Sequence, residues 1–150
     1  MPDTATPRHG LPHLFVGQAQ KEVTHNEALG RIDGLLHPVI EDERAAPPSA
    51  LSAADDGRCW LIMTAATGLW TGKSGQIARW SGGSWRYFLP CEGMCIFDEA
   101  SGIRRFYIGG AWTSPDAIAN PVGGTIVDAE ARAALVSVLA LLREIRLIPL

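Results

Sequence analysis

Glu22 and His25 stand three residues apart in the stretch GQAQKEVTHNEAL, residues 17–29. On a helix that spacing puts a carboxylate and an imidazole on one face, two corners of a metal site that needs at least a third ligand. The other histidines, His9, His13 and His37, lie on a Pro-rich arm or beside Pro38, with no helical or strand relation to that pair. Gly72-Lys73-Ser74 resembles the end of a phosphate-binding loop. Three residues separate Gly68 from Gly72, however, where such a loop has four, and Trp70 would stand where phosphates must approach. Asp55-Asp56 and Asp98-Glu99 have the residue types of a glycosidase carboxylate pair, but nothing in the sequence sets their separation. Solvated turn positions are the favoured reading. There is no Ser on a strand-to-helix elbow. Cys91 and Cys95 form C-x3-C without the second pair that zinc requires. No catalytic residue, metal or cofactor is assigned, and the chain is not read as an enzyme.

The aromatic residues offer a binding chemistry instead. Trp80, Trp85, Tyr87 and Trp112, with Trp70 and Tyr107, are interleaved with Arg79, Arg86, Arg104 and Arg105. Their rings can stack on sugar faces or on bases. They can equally fill the core of a small β domain, which needs large side chains to bury enough area, and that reading is favoured. Nucleic acid is disfavoured by the formal net charge of −3, because affinity for a phosphate backbone comes from excess cations. The cations are 11 Arg and two Lys, Lys21 and Lys73, in an Ala-rich chain, which reads as coding bias.

These residues must be positioned by elements of three kinds. Pro2, Pro7, Gly10 and Pro12 predict an extended arm ending in Leu14, Phe15 and Val16. A helix is predicted over 18–36, with Ala19, Val23, Leu29, Ile32 and Leu36 as its apolar stripe. Gly30 and Gly34 weaken its second half, and Pro38 stops it. The acidic, Pro-containing segment 41–57 is a connector. From Arg58 the pattern shortens to runs of four to six residues separated by turns: CWLIM, QIARW, SWRYF, MCIF and IRRFYI. Trp80-Ser81-Gly82-Gly83-Ser84-Trp85 is matched by Tyr107-Ile108-Gly109-Gly110-Ala111-Trp112, an aromatic residue before a two-Gly turn and Trp after it; Gly68-Leu69-Trp70 is a degenerate third copy. This predicts about five strands over 58–113, in a small antiparallel sheet or partial barrel of repeated hairpins. The helical period returns at 128–148, capped by Thr125 or Asp128. Leu135, Val138, Leu142 and Ile145 have coiled-coil spacing there, with Leu139, Leu141 and Ile148 beside them. That helix docks either on its own chain or in a bundle of copies.

The class is therefore α+β, with an arm and polar helix at 1–40, a connector at 41–57, a β domain at 58–115 and a linker plus docking helix at 116–150. At 150 residues and 47% hydrophobic composition, the chain is long enough to bury a core without disulfides. Cys59, Cys91 and Cys95 are too few and too oddly placed for a disulfide framework, and Cys91 and Cys95, which flank a probable strand, read as buried or half-buried thiols. No run of 18 apolar residues and no apolar signal core is present, so synthesis in the cytoplasm without membrane insertion is expected.

TPRHGLPHLFVGQAQKEVTHNEAL, the connector, ATGLWTGKSGQIARWSGGSWRYFLPCEGMCIFDE and FYIGGAW together resemble a phage-related family of unknown function. That family occurs in alphaproteobacterial prophages and gene transfer agents, where members are associated with tail fibres and head spikes. The resemblance covers about residues 7–113. G-Q-A-Q-K-x-V-T-H-N-E-A-L and G-x-W-x-G-x-x-G-Q-I-A-x-W are its most specific parts. It implies a structural virion protein on the surface of a phage-like particle, assembled in the bacterial cytoplasm. Such a subunit, in a head spike or at the base of a tail fibre, would form a homo-oligomer, a trimer or a pentamer. It would join a capsid or tail protein to a fibre protein for host attachment. On this reading Gln18, Lys21, Glu22, His25, Asn26 and Glu27 dock the polar helix, and Leu135, Val138, Leu142 and Ile145 join copies. The alternative is a carbohydrate-binding module that reads host surface polysaccharide through Trp80, Trp85, Tyr87 and Trp112.

Overall fold

The β region folds as two small sheets, and both follow one plan. A computed structural model describes residues 4–14, 21–124 and 128–149. After α1 (Lys21–Leu35), the short strands β1 (Val39–Ile40) and β2 (Glu43–Arg44) leave the chain in different sheets. β1 runs parallel to β6 (Cys95–Asp98), which continues antiparallel to β7 (Ile103–Ile108) and β8 (Ala111–Thr113). β2 runs parallel to β3 (Cys59–Ile62), which continues antiparallel to β4 (Ile77–Ser81) and β5 (Ser84–Phe88). Each sheet is thus a two-residue parallel edge followed by a three-stranded meander. Among the described residues, two α-helices and two four-stranded sheets make the α+β class expected from the sequence. The single antiparallel sheet or partial barrel expected there is instead two mixed sheets, because β1 and β2 each add a parallel edge.

The repeated hairpins have the predicted turns. Trp80 faces Trp85 across Gly82-Gly83, and Tyr107 faces Trp112 across Gly109-Gly110. All four glycines have φ between 57° and 80°, the left-handed conformation that a two-residue hairpin turn demands. The ring pairs meet edge-to-face at 5.2 and 5.3 Å. The degenerate third copy is not a hairpin. Gly68–Trp70 is a 3-10 turn that buries Trp70 completely. β1 and β2 were missed because a two-residue strand has no period to read.

Alternation along β3, β4 and β5 divides the apolar residues between two clusters. Cys59, Leu61, Ile77 and Phe88 join Ile40 and Ile96 between the sheets, with Leu35, Met94 and Trp112 packed on them. Trp60, Ile62, Ala78 and Trp70 lie on the other face, under Trp80, Trp85 and Tyr87.

α1 corrects its predicted stripe. Val23, Ile32 and Leu36 are exposed, while Asp33 and Gly34 are the buried residues. The helix docks by its small face: a Cβ on Gly34 would lie 2.9 Å from Phe88 and 3.0 Å from Arg79. The glycines expected to weaken the helix are what let it approach the sheet. α2 (Ala129–Glu144) starts at the predicted cap, Asp128, whose carboxylate accepts the Ala131 N–H at 2.9 Å. It stops before 148. Arg146 adopts φ 59°, and the Leu147 N–H turns back to the Leu142 carbonyl at 2.9 Å, closing the last turn. Thr125, the other cap considered, and residues 18–20 of the predicted first helix lie outside the described residues.

Candidate functional site

Asp33 is the node that organises the N-terminal half. It is fully buried, and its Oδ2 accepts from Arg79 Nη2 at 2.6 Å. The Thr6 hydroxyl and the His9 N–H donate to its Oδ1, both at 2.7 Å, and the Arg8 N–H reaches Oδ2 at 3.3 Å. Arg79 Nη1 donates to the Gly30 carbonyl at 2.7 Å. One carboxylate therefore ties the arm, α1 and β4 together. Charge-assisted bonds of this kind repay the desolvation of a buried pair only when nearly every polar atom is matched. Arg79 Nε has no partner among the described residues. A partly buried ion cluster serves the other sheet: Arg105 holds buried Asp98 at 2.8 Å and Glu43 at 2.8 Å, so a β7 side chain reaches β2 of the opposite sheet.

Between the arm, the exposed side of α1 and the β4–β5 hairpin lies a cleft of about 560 Å³. Val23, Glu27 and Arg31 form its helical wall, and Arg86, Tyr87 and Phe88 its strand wall. Its deepest cation is Arg79, already committed to Asp33.

The docking residues predicted on α1 disperse. Asn26 turns to the arm, accepting the Leu14 N–H at 3.0 Å and donating to the Leu14 carbonyl at 3.1 Å. With Glu27 it lines the cleft. Lys21 and His25 are exposed, and Glu22 is half-buried with one carboxylate oxygen enclosed and without a partner among the described residues. Gln18 lies outside the described residues. Among those described, no three metal-ligating side chains are grouped.

The four candidate glycan-binding residues fall in two places. Trp85 is met edge-on by Trp60, Trp70 and Trp80 at 5.1 to 5.4 Å. Tyr87 donates its hydroxyl to the Leu69 carbonyl at 3.3 Å, and Lys73 sits 4.2 Å above its ring. Trp112 is in the other sheet and donates Nε1–H to the Gly75 carbonyl at 2.8 Å. Trp80, Trp85 and Tyr87 share a face; Trp112 does not.

Two of the carboxylates considered for hydrolysis, Asp55 and Asp98, have local partners. Asp55 closes a capping box with Ser52, whose N–H and hydroxyl donate to it at 2.8 and 2.9 Å and hold its carboxyl below the usual range. Asp98 caps the following turn through the N–H groups of Ala100 and Ser101. Glu99 is exposed. Cys59 is buried, and desolvation pushes its thiol up to about 11, which leaves it protonated and inert at neutral pH. Cys95 is half-buried as expected, but Cys91 is exposed, because it stands in the turn before β6 rather than in the strand. A thiol-labelling time course on the native protein is expected to modify Cys91 first and to reach Cys59 only in denaturant.

α2 presents an exposed apolar ridge. Leu135, Val138 and Leu141 are 54%, 53% and 54% exposed and Ile145 is 46% exposed, while Leu139 and Ile148 are buried. Leu142 is half-buried. Arg132 donates to the Gly123 carbonyl at 2.8 Å and Arg143 to Asn120 at 3.1 Å, so the preceding linker is tied along the helix.

Sequence reasoning missed Asp33 entirely. Its signal was an acidic residue between Gly30 and Gly34 in a helix otherwise read by its leucines. Arg79 was noted only as one of several arginines among the aromatic residues.

A family profile described as "Protein of unknown function (DUF2793)" matches residues 25–113, from within α1 to the end of β8. It begins at His25 and so takes in only the last five residues of the GQAQKEVTHNEAL stretch. A search of the curated proteins finds no match to the chain.

Proposed function

The chain belongs to the DUF2793 family of proteins of unknown function, and from that premise we propose that it is a structural accessory protein of a phage-like particle or gene transfer agent. It acts as an oligomeric subunit of a head spike or fibre base, anchoring a fibre or receptor-binding component at the particle surface. The observation that carries this reading is the uncovered ridge of α2. Three of the four residues spaced as a seam, Leu135, Val138 and Ile145, are about half exposed. Covering the exposed half of each contributes roughly 1 kcal/mol, and contiguous apolar surface on a helix marks a contact with another chain. The resemblance of the GQAQKEVTHNEAL and ATGLWTGKSGQIARW stretches to particle-associated proteins supplies the setting. The glycan reading has weaker support, because the edge-to-face contacts of Trp85 already occupy much of its ring. No helix among the described residues is long and apolar enough to cross a membrane.

Size-exclusion chromatography with light scattering tests the proposal. At roughly tens of micromolar the protein is expected to run as one closed oligomer, a trimer or a pentamer. The double variant Leu135→Glu, Val138→Glu is expected to run as a monomer with an unchanged far-UV spectrum, since both side chains face solvent in the protomer. A monomeric wild type overturns the reading.

A further inference from the structure

The sheet that ends in β5 has an open side. Trp80 directs its main chain toward β3: its N–H donates to the Arg58 carbonyl and its carbonyl accepts the Gly57 N–H, both at 2.9 Å. Antiparallel pairs alternate between bonded and non-bonded positions. Trp85, which faces Trp80, and Tyr87, two residues on, therefore point their N–H and C=O groups away from β4. Neither main chain finds a partner among the described residues. Proteins ordinarily guard such edges with proline, lysine, a bulge or brevity. β5 is five residues of SWRYF paired to β4 in unbroken register, whereas the other outer strands, β1, β2 and β8, have two, two and three residues.

That edge opens beside the cleft under α1. Exposed Arg31 and Arg86 stand on opposite walls, and neither is within ion-pair distance of a carboxylate among the described residues. Asp56, also on the cleft, is engaged by the Gly82 N–H at 2.7 Å, which leaves Glu27 against two arginines. Val23, 58% exposed, supplies an apolar contact on the helical side.

We infer that the β5 edge and this cleft form a docking site for an extended segment of a different protein, added as a fifth strand. The backbone groups of Trp85 and Tyr87 supply its affinity. Alternate side chains supply its specificity: an acidic residue beside Arg86 and an apolar one against Val23. A second copy fits less well, because the twofold register that bonds both Trp85 and Tyr87 of each β5 is centred on Arg86 and sets Arg86 opposite Arg86, where like charges repel. The site does not involve α2 and stands apart from the oligomer reading above.

The full chain is used to select from a displayed library of random seven-residue peptides. Enriched sequences are expected to alternate apolar and polar residues around an Asp or Glu. They are expected to slow amide hydrogen exchange of Trp85 and Tyr87 by about tenfold or more. Tyr87→Pro removes one outward N–H and leaves the bonds to β4 in place; it is expected to weaken the selected peptides by about tenfold or more. Arg86→Glu is expected to turn the selection from acidic to basic residues, a readout that survives if the proline variant does not fold. No enrichment, or enriched peptides indifferent to Arg86→Glu, overturns the inference. So does protection of the same two amides by self-association without peptide.

Discussion

Asp33→Ala is expected to lower the unfolding free energy by about 3–5 kcal/mol, read from urea denaturation followed by tryptophan fluorescence. The magnitude comes from what is left behind. Arg79 is 2% exposed and would keep its charge with no counterion, while the Thr6 hydroxyl and the N–H groups of Arg8 and His9 lose their acceptor. Against a typical total of about 5–15 kcal/mol for a single domain, that loss brings the fold near its limit. The double variant Asp33→Leu, Arg79→Leu separates the two parts of the effect. Removing both charges is expected to recover most of the stability, since an apolar pair replaces a buried ion pair at little cost. The arm stays unpinned in both variants, so amide exchange at Thr6, Arg8 and His9 is expected to rise in each. A loss below about 1 kcal/mol for Asp33→Ala would mean that the pair does not hold the arm, helix and sheet together.

Trp70→Ala is expected to cost about 3–5 kcal/mol, by the loss of a large buried side chain and the cavity left in its place. Trp70 is fully buried on the outer face of the β2–β5 sheet, with its ring 5.1 Å from that of Trp85. Its indole N–H has no partner among the described residues. Trp70→Phe keeps the aromatic contact and relieves that unpaired donor, so its cost is expected to stay below about 1.5 kcal/mol. The contrast between the two substitutions is measured in one denaturation series. Equal losses would show that a phenyl ring does not restore the packing that the indole supplies, and would overturn this account.

Both residues show where the sequence could and could not be read. Local chemistry was legible where a residue has one conformational use. Paired glycines between aromatic residues specified the two hairpins, because few other residues accept φ near 60° at both turn positions. Asp128 before an Ala- and Leu-rich run specified a helix start. Alternation along β4 and β5 puts Trp80, Trp85 and Tyr87 on one face, packed against the Trp60 and Trp70 cluster. The cleft was invisible. Its walls come from α1 and β5, which are far apart in sequence, and nothing in either predicts which face each turns to the other.

α1 carries the same lesson from its own residues. Periodicity pointed to Ala19, Val23, Leu29, Ile32 and Leu36 as the buried face; Val23, Ile32 and Leu36 are exposed, Leu29 is half-buried, and Ala19 lies outside the described residues. The face that docks is Gly30, Asp33 and Gly34, chosen because the helix must come close enough for Asp33 to reach Arg79.

By itself, the sequence determined the α+β class, the hairpin turns, the aromatic alternation and the cap of the last helix, all set by neighbours within a few residues. Only the tertiary structure decided that the strands divide into two sheets, that a buried carboxylate joins the arm to β4, and that the β5 edge is left open beside a cleft. Those features are pairings between distant segments, and a pairing is settled by which of several possible partners best covers apolar surface and satisfies buried charge.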